Sequence, residues 1–423
     1  MDFKAVKGTR DFYPETMRLR RWIVDAWCRV SLRNGFEEYD TPIFEYLDLF
    51  TIKSGQEIAE QLFSFTDRGG RNLAIRPEIT PSLARMVNAK INSLPRPIKW
   101  FSVPRLCRAE NPQKGRLREF FQWNVDVIGN DEVLADAECI FVAVDFLREV
   151  GLGPQDVCVR IGSRPLTVSV LTAAGVAPEA TEAALAVLDK RPRVDDQEFA
   201  KLASSSGLSD KQTALVREFQ DCSTIDQVRQ AVGDSDVEVA IERLETLLAT
   251  LDAMGVGEYC KLDMRIVRGL AYYTGIVYEI FDVGRSLRAL AGGGRYDNLL
   301  QVLGGPQVTA TGFGMGDVVL GILLEEKGKI PDLSQKLDFF VIDGEAGTFD
   351  RVMKVVGALR GQGRSAEFSY KRQGVGKQLK QADRRGAKRA VILRGDSVAV
   401  RDMVTGDQQD HPLEDFLSDP NRV

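Results

Sequence analysis

Histidine is almost missing from this chain of 423 residues, because it occurs once, at His411. Its neighbours Asp410 and Pro412 make a polar setting that gives it no sign of a catalytic role. This scarcity excludes Ser-His-Asp catalysis and histidine-rich metal sites, unless His411 itself takes part. The chemistry must therefore rest on arginine, carboxylate, tyrosine and glutamine side chains, and we expect no protein-bound metal.

Paired cysteines and long apolar runs are also missing. The six cysteines show no Cys-x-x-Cys spacing, which argues against a disulfide framework or a zinc site and fits a reducing compartment. No apolar run approaches the roughly 18 residues of a membrane span. The opening residues, MDFKAVKGTRDFYPE, lack the apolar stretch of a signal peptide. We therefore expect a cytoplasmic protein with no membrane partner.

Net charge is small, at −5, so the overall balance gives no hint of a nucleic-acid partner. The distribution of charge along the chain does give such a hint. Between Arg351 and Leu393, twelve Lys or Arg residues stand against only Glu367 and Asp383. A basic block in an otherwise acidic protein indicates a local anionic partner, with a solvated helix face as the alternative.

The length and the 44% hydrophobic content allow two or three domains with ample cores. From about 165 to 255 the sequence becomes rich in Ala, Asp, Glu and Leu, and this predicts an inserted helical subdomain. From Lys336 onward strand and helix patterns alternate, which predicts an α/β unit with a mainly parallel sheet.

The segment 105–129 has the most distinctive charge pattern. It predicts two long strands joined by a turn at 111–115. Its polar positions are mostly guanidinium groups, which suit a bidentate grip on phosphate, and they mix with Phe120, Phe121 and Trp123. The alternative is a salt-bridged surface hairpin.

A second motif, Arg76-Pro77-Glu78-Ile79-Thr80, lies between a predicted hairpin at 62–75 and a predicted helix. A carboxylate fixed before a helix start can neutralise an ammonium ion, and we expect Arg76 to restrain the Glu78 side chain. Thr80 could equally cap the helix, and both roles can hold together.

Two further segments combine tyrosine or glycine with arginine. Residues 268–275, Arg-Gly-Leu-Ala-Tyr-Tyr-Thr-Gly, fall where the pattern returns to strands. The glycine-rich segments 292–294 and 312–316 predict strands against which a substrate can lie close to the backbone.

These motifs resemble those of class II aminoacyl-tRNA synthetases, in the form found in histidyl-tRNA synthetases. The hairpin matches the family's motif 2 (Arg-x-Glu-x-Pro-Gln-x-Gly-Arg-x-Arg-x-Phe-x-Gln). Residues from about 16 to 44 resemble the motif 1 helix and strand, and 268–275 resembles the histidine-specific signature. The resemblance implies an α+β fold: an antiparallel sheet flanked by helices over 1–330, a helical insertion at about 165–255, and a C-terminal α/β anticodon-binding domain over 336–423.

The resemblance also implies roles for individual residues. The catalytic residues would be Arg108 and Arg268, which hold the α-phosphate. The remaining ATP-binding residues would be Glu110 and Phe120 at adenine and Arg116 at the γ-phosphate. The histidine-binding residues would be Glu78, Thr80, Gln122, Asp126, Tyr272 and Tyr273. Apart from the resemblance, the position of Gln113 and Lys114 at the tip of the hairpin leads us to expect that they meet the tRNA acceptor end.

The chain departs from the family pattern at two positions. Ala271 stands where the signature usually has Asp, and Val319 stands where motif 3 usually has an Arg that stacks on adenine. Either the adenine is held in another way or ATP binding is impaired. The first interpretation is favoured, because the other phosphate-gripping residues are present.

The resemblance implies a histidine–tRNA ligase that uses ATP with Mg²⁺, L-histidine and tRNA(His), and that works as a homodimer. Two alternatives stay open. One is a non-catalytic, synthetase-like regulatory subunit of histidine biosynthesis, which Val319 and Ala271 would suit. The other is a tRNA-sensing module, which should have lost Arg108 or Arg116, whereas both are present.

Overall fold

The computed structural model describes residues 3–52, 62–232, 237–268, 272–345, 347, 349–371 and 373–420. The chain divides into two compact units, Met1–Pro331 and Asp332–Val423. Within the described ranges, no helix is both long and apolar enough to cross a membrane.

The first unit is built on strands from all parts of its sequence. They are β1 (Glu37–Glu38), β2 (Phe44–Tyr46), β3 (Phe63–Thr66), β4 (Asn72–Ile75), β5 (Ile98–Ser102), β6 (Arg105–Cys107), β7 (Glu119–Ile128), β8 (Val157–Ser163), β9 (Cys260–Leu262), β10 (Ile276–Asp282), β11 (Ala291–Arg295) and β12 (Ala310–Gly316).

Helices flank these strands. They are α1 (Pro14–Arg33), α2 (Leu47–Thr51), α3 (Thr80–Asn88), α4 (Val133–Glu149), α5 (Arg164–Ala173), α6 (Pro178–Leu188), α7 (Asp196–Ser205), α8 (Asp210–Gln220), α9 (Ile225–Val232), α10 (Glu238–Ala253), α11 (Leu299–Val302) and α12 (Asp317–Glu326), with short 3₁₀ turns at Arg191–Arg193 and Gly257–Tyr259.

The main sheet has the strand order β1-β5-β7-β12-β11-β10-β8-β9, with β6 added beside β7. Its neighbours are antiparallel except for the parallel pairs β1–β5 and β8–β9. One face is closed by α1 and α4, where Trp27, Trp123 and Phe146 stack together and are fully buried. The predicted antiparallel sheet flanked by helices is confirmed, and the cavity described below lies on its other face.

The central hairpin differs from the prediction of two long strands. The outgoing strand β7 has ten residues, but the incoming strand β6 has only three. Two features shorten the incoming strand β6. Pro112 has no N–H to donate, and the Arg118 N–H donates to the Gly8 carbonyl at 2.8 Å instead of continuing the hairpin ladder.

The segment predicted to be helical forms α5 to α10. Its apolar side chains, among them Leu166, Phe199, Phe219 and Leu244, are buried in one core with those of the main sheet. Strands β2, β4 and β3 form a separate three-stranded antiparallel sheet. The predicted hairpin at 62–75 is therefore present, with Asp67 accepting from the Gly69 N–H in its turn.

The second unit has one five-stranded sheet, in which three parallel strands are extended on one side by two antiparallel strands. Its elements are β13 (Leu337–Asp343), β14 (Ala366–Phe368), β15 (Ala387–Arg394), β16 (Ser397–Asp402), β17 (Gln408–Pro412), α13 (Phe349–Gly361), α14 (Val375–Arg384) and α15 (Leu413–Ser418). The order is β14-β13-β15-β16-β17. The prediction of a mainly parallel sheet is wrong in part, because β15, β16 and β17 pair antiparallel through tight turns.

Candidate active site

The open face of the main sheet carries a cavity of about 660 Å³. It lies between β7 at one side and β10 at the other, with β11 and β12 as its floor. Among the residues that line it are Glu78, Thr80, Arg108, Glu110, Arg116, Phe120, Gln122, Asp126, Arg268, Tyr272 and Tyr273. The structure thus brings together residues that are far apart in the sequence, since Glu78 and Tyr273 share one cavity although 195 positions separate them. Gln113 and Lys114 do not line it.

Strand β7 supplies a row of cavity residues through its alternation. Phe120, Gln122, Asn124 and Asp126 lie at every second position and all line the cavity, whereas Trp123 and Val125 point into the core. Sequence reasoning missed Asn124, although the period of two would have found it between Gln122 and Asp126. Its amide donates to the Gln122 carbonyl at 3.0 Å.

Glu78 is a buried carboxylate in the segment before α3. The Tyr272 hydroxyl donates to its Oε2 at 2.9 Å, and among the described residues its Oε1 has no hydrogen-bond partner. Burial raises the pKa of Glu78, although Arg108, Tyr272 and Arg268 oppose this. A carboxylate left half-satisfied in this way is a ready acceptor for a cationic donor.

Arg76 does not hold Glu78, contrary to the expectation from their spacing. Its guanidinium donates to Asp40 at 2.7 Å and to the Thr41 carbonyl at 2.6 Å, and so it anchors the backbone beneath the site. Thr80 is the first residue of α3, and the N-cap position belongs to Ile79, which makes no side-chain cap. The capping alternative for Thr80 is therefore not observed.

Asp126 is the second buried carboxylate. The Tyr296 hydroxyl donates to its Oδ1 at 2.5 Å, and its Oδ2 has no partner in the described part of the chain. Burial raises the pKa of Asp126 to about 7. Gly312 makes room for this carboxylate, because a Cβ at that position would lie 2.2 Å from Oδ1.

Tyr272 and Tyr273 lie in a loop before β10, not in a strand as predicted. A strand would send the two rings to opposite faces. In the loop both are buried, and their ring centroids are 5.1 Å apart. Tyr272 also meets Tyr296 edge-on at 6.0 Å. Three aromatic rings therefore close the end of the cavity that holds Glu78 and Asp126.

Arg268 occupies a strained backbone position with φ of +63°. Its guanidinium donates to Glu279 at 2.5 Å and lies 5.6 Å from the Tyr273 ring centroid. Burial lowers the pKa of Arg268, but Tyr273 and Glu279 outweigh burial and raise it overall, so the group stays charged. Gly292 is needed beside it, since a Cβ there would lie 2.3 Å from Nη1.

The arginines of the hairpin stand at the opposite side of the cavity. Arg108 donates to the Pro77 carbonyl at 2.9 Å, and its guanidinium lies 5.2 Å from the Phe120 ring centroid. Arg116 and Glu110 form an ion pair at 2.9 Å. Both sides of the cavity therefore carry cations. Among the described residues, Asp126 on β7 and Glu78 just before α3 each line the cavity with one carboxylate oxygen unpaired.

Comparison with known proteins agrees with this arrangement. The family model for histidyl-tRNA synthetase matches residues 8–316. This chain belongs to the histidyl-tRNA synthetase family. It is 41% identical to the histidine–tRNA ligase of Opitutus terrae, covering 97% of this chain and 96% of the relative. It is 38% identical to that of Haloarcula marismortui, covering 99% and 98%.

The fold agrees as well. The histidyl-tRNA synthetase structure from Nostoc matches with a TM-score of 0.82 at 22% identity, covering 100% of this chain and 99% of that one. The curated relatives are matched over nearly their full length, C-terminal unit included. The alternative of a regulatory subunit is therefore not favoured.

Against the family pattern, Val319 is the main anomaly. It is buried in the first turn of α12 and lines the cavity. A Cβ on Gly115, whose φ is +78°, would lie 3.2 Å from Val319 Cγ2 and 3.8 Å from Arg288 Cδ. Arg288 is exposed and also lines the cavity. An arginine from another segment thus stands next to the position where the family's arginine is replaced.

The N-terminal arm of this synthetase-family chain supports the hairpin from outside. The Gly8 carbonyl accepts from Arg118 N, and Arg10 donates to Asp317 at 2.7 Å. Asp317 in turn accepts from Phe121 N on β7 at 2.9 Å. The arm therefore ties β7 to the start of α12, the two elements that carry Phe120 and Val319.

Gln113 and Lys114, the residues predicted to meet the tRNA acceptor end, are exposed at the hairpin turn. Gln113 pairs with Arg116 through the backbone, and Lys114 lies 3.3 Å from Glu326. They are outside the cavity. Ala271 and its neighbours 269–270 lie outside the described residues, so the consequence of that substitution is not visible.

Proposed function

We propose that this protein is a histidine–tRNA ligase. Histidine attacks the α-phosphate of ATP, pyrophosphate leaves, and the histidyl-adenylate then acylates the terminal adenosine of tRNA(His). The membership of the family and the full-length match to proteins named histidine–tRNA ligase support this assignment.

The observation that carries the proposal is a pair of buried carboxylates on one cavity, each with one oxygen unpaired. Glu78 Oε1 and Asp126 Oδ2 have no partner among the described residues, while hydroxyls of Tyr272 and Tyr296 hold the other oxygen of each. Histidine has two donors to match, the α-ammonium group and an imidazole N–H. Glu78, with Thr80 and Gln122, would bind the first, and Asp126 with Tyr273 would bind the imidazole.

Selectivity for histidine would follow from the same two carboxylates, Glu78 and Asp126. An amino acid that lacks the ring N–H would leave Asp126 buried and unsatisfied, and sites built on such hydrogen bonds discriminate by a factor of roughly 10⁴. Asn124, next to Asp126 in the row on β7, adds a polar wall at the same place.

The phosphates would bind between the two cationic sides. Arg108 from the hairpin and Arg268 from the opposite side would hold the α-phosphate, and Arg116 would reach the γ-phosphate. Preorganised guanidinium groups stabilise the negative charge of the transition state without a proton-transferring residue. The ion pair of Arg116 with Glu110 would have to loosen as ATP enters.

Adenine would lie against Phe120, with its amino group donating to Glu110. Val318 and Val319 give this end an apolar wall, and Arg288 beside them would supply the cation that motif 3 lacks. Such an arrangement would hold ATP without an arginine at 319.

Mg²⁺ would enter with ATP. The described residues contain no group of three or more His, Cys, Asp or Glu side chains that could hold a metal. Mg²⁺ is usually held by substrate phosphates and one or two carboxylates, and when bound with ATP it would neutralise phosphate charge.

We further propose a homodimer and a separate anticodon-binding unit. The small sheet exposes Phe44, Tyr46 and Phe65, with Phe44 and Phe65 in edge-on contact at 6.3 Å, and such apolar patches mark interfaces. In the second unit, α14 presents exposed Lys377, Lys380 and Arg384 to an RNA partner. The ligase would act in the cytoplasm, where translation consumes its product.

The first experiment is ATP–pyrophosphate exchange with purified protein, Mg²⁺ and each of the twenty amino acids, without tRNA. We expect exchange with histidine alone. Absence of exchange with every amino acid would reject the ligase and make a regulatory or sensing role the leading hypothesis. Arg268→Ala tests the site, since histidine activation at near wild-type rate would reject its α-phosphate role.

A further inference from the structure

A cluster of three arginines surrounds one carboxylate at the β10 side of the cavity. Asp263, which is 3% exposed, accepts from Arg160 at 2.7 Å and from Arg265 at 2.8 Å, and Arg285 lies 3.5 Å away. The three arginines come from β8, from the segment after β9 and from the segment after β10. Arg265 and Arg285 line the cavity.

Among the residues that the sheet strands and their adjoining segments bring to this place, cations outnumber carboxylates. Arg160 is in register with Glu279 on β10, and Glu279 is already paired with Arg268. Four guanidinium groups therefore face two carboxylates. Two more acidic residues come from the helical segment: Asp189 lines the cavity, and Asp221 acts on Arg265 from a distance while it pairs with Arg191.

Arg285 is the least satisfied member of the cluster. Its Nε and Nη2 are buried without a hydrogen-bond partner among the described residues, and its guanidinium lies 4.8 Å from the Phe281 ring centroid. Its backbone has φ of +49°. Burial and then the charge of Arg160 lower the pKa of Arg285. Unpaired buried donors on a strained backbone need a compensating partner.

The cluster comes from other segments than the hairpin arginines. Arg108 and Arg116 lie between β6 and β7, and strands β12 and β11 separate β7 from β10, so the backbones of β7 and β10 are about 14 Å apart at roughly 4.8 Å per strand step. In the proposed function the phosphates of ATP are assigned to Arg108, Arg116 and Arg268, which leaves Arg160, Arg265 and Arg285 for another anion. Arg268 stands between the two regions, since it is bonded to Glu279 next to Arg160.

We propose that Arg285, with Arg265 and Arg160, forms a second phosphate-binding subsite at the β10 side of the cavity. Resting on the proposed ligase function, the subsite takes either a backbone phosphate of the tRNA 3′ strand or free pyrophosphate. Both are phosphate groups that fit forked guanidinium donors. The two ligands can be distinguished by experiment, because replacing Arg285 would weaken the binding of tRNA in one case and of pyrophosphate in the other.

The test compares Arg285→Met, which keeps an apolar stem on Phe281, with Arg148→Met as control. Arg148 likewise lies over an aromatic ring, Tyr259 at 5.3 Å, but it does not line the cavity. Binding of a tRNA(His) transcript is measured from 50 to 300 mM NaCl, and binding of pyrophosphate is measured calorimetrically. Thermal denaturation checks that both variants fold.

If the subsite binds RNA, Arg285→Met weakens tRNA binding about tenfold and lowers the slope of log Kd against log salt by about 0.7, the value for one single-strand phosphate contact. If it binds pyrophosphate, that affinity falls about tenfold and the RNA slope stays. If neither affinity differs from that of Arg148→Met, the subsite is rejected. These are binding measurements without turnover, so they remain decisive even if histidine activation is absent and the ligase assignment fails.

Discussion

The Tyr272 hydroxyl donates a 2.9 Å hydrogen bond to Glu78 Oε2, across 194 positions of the chain. It joins the loop before β10 to the segment just before α3, and both residues line the cavity. Tyr272 thus holds the carboxylate that Arg76 was expected to hold.

Tyr272→Phe is therefore expected to raise the KM for histidine about tenfold in the exchange assay, because Glu78 loses its only described donor. Without that bond the pKa of Glu78 rises further, so less of it is ionised. Tyr259→Phe is the matched control: its hydroxyl is buried too, but it donates to the Leu152 carbonyl away from the cavity. Equal KM values for the two variants would contradict the role of Tyr272.

Asp126 is expected to make histidine binding depend on pH. Its pKa of about 7 means that the carboxylate is protonated below neutrality and accepts an imidazole N–H above it. The KM for histidine should fall as pH rises through about 7. Asp126→Asn should abolish this dependence and bind histidine poorly at pH 8. A wild-type profile flat from pH 6 to 8 would refute the assignment.

The Asp126 carboxyl should also make the stability of the folded protein depend on pH, with stability falling as pH rises. The folded protein holds the Asp126 proton up to about pH 7, whereas the unfolded chain releases it near the ordinary value of 3.8. The folded state therefore loses stability through this group as pH rises from about 4 to 7. The melting temperature of Asp126→Asn minus that of wild type should grow over this range. Asp25→Asn, which replaces a half-exposed carboxyl of α1, is the control variant.

Gly292→Ala should displace Arg268 without unfolding the protein. A Cβ would lie 2.3 Å from the guanidinium, so the side chain must leave its place beside Glu279. We expect kcat for histidine activation to fall by a factor of about 10². Gly321→Ala, in α12 with nothing within 4 Å, should keep full activity. Wild-type rates in Gly292→Ala would show that the position of Arg268 is not critical.

Arg288→Ala tests how ATP is held in the absence of an arginine at 319. If Arg288 supplies that cation, the KM for ATP rises about tenfold and the KM for histidine changes less than twofold. Arg394→Ala, an exposed arginine of the second unit, serves as control. An unchanged KM for ATP would mean that Phe120 and the valine wall suffice.

Lys377→Ala combined with Lys380→Ala tests the second unit. Both side chains are exposed on α14, whereas Gln378 between them is buried and bonded to the Asp343 backbone. We expect the KM for tRNA in aminoacylation to rise at least fivefold, with the exchange reaction unchanged. Lys354→Ala on α13 is the control. An equal tRNA KM in all three proteins would place anticodon binding elsewhere.

The sequence predicts well where a local rule decides the structure. The turn at Asp67 follows from its side chain accepting backbone N–H groups, and the glycine-rich strands β11 and β12 form as expected. The sequence does not predict which side chains meet when their contact depends on the three-dimensional fold. Arg76 is two residues from Glu78, yet it binds Asp40.

The same limit applies to the site. The hairpin residues and the signature were found because their spacing is fixed within short motifs. No local pattern connects Arg160, Asp263 and Arg285, which meet only because β8, β9 and β10 are neighbours in the sheet. Asn124 is intermediate, since strand alternation alone would have pointed to it.

The bond between Arg10 and Asp317 spans 307 positions and has a consequence for synthesis. At roughly 5 to 20 residues per second, a ribosome makes Asp317 about 15 to 60 s after Arg10. During that interval the N-terminal arm cannot bind α12, and Asp317 is not yet available to bond Arg10 and Phe121. Nascent chains therefore cannot assemble a complete nucleotide end of the cavity until the first unit has almost entirely emerged.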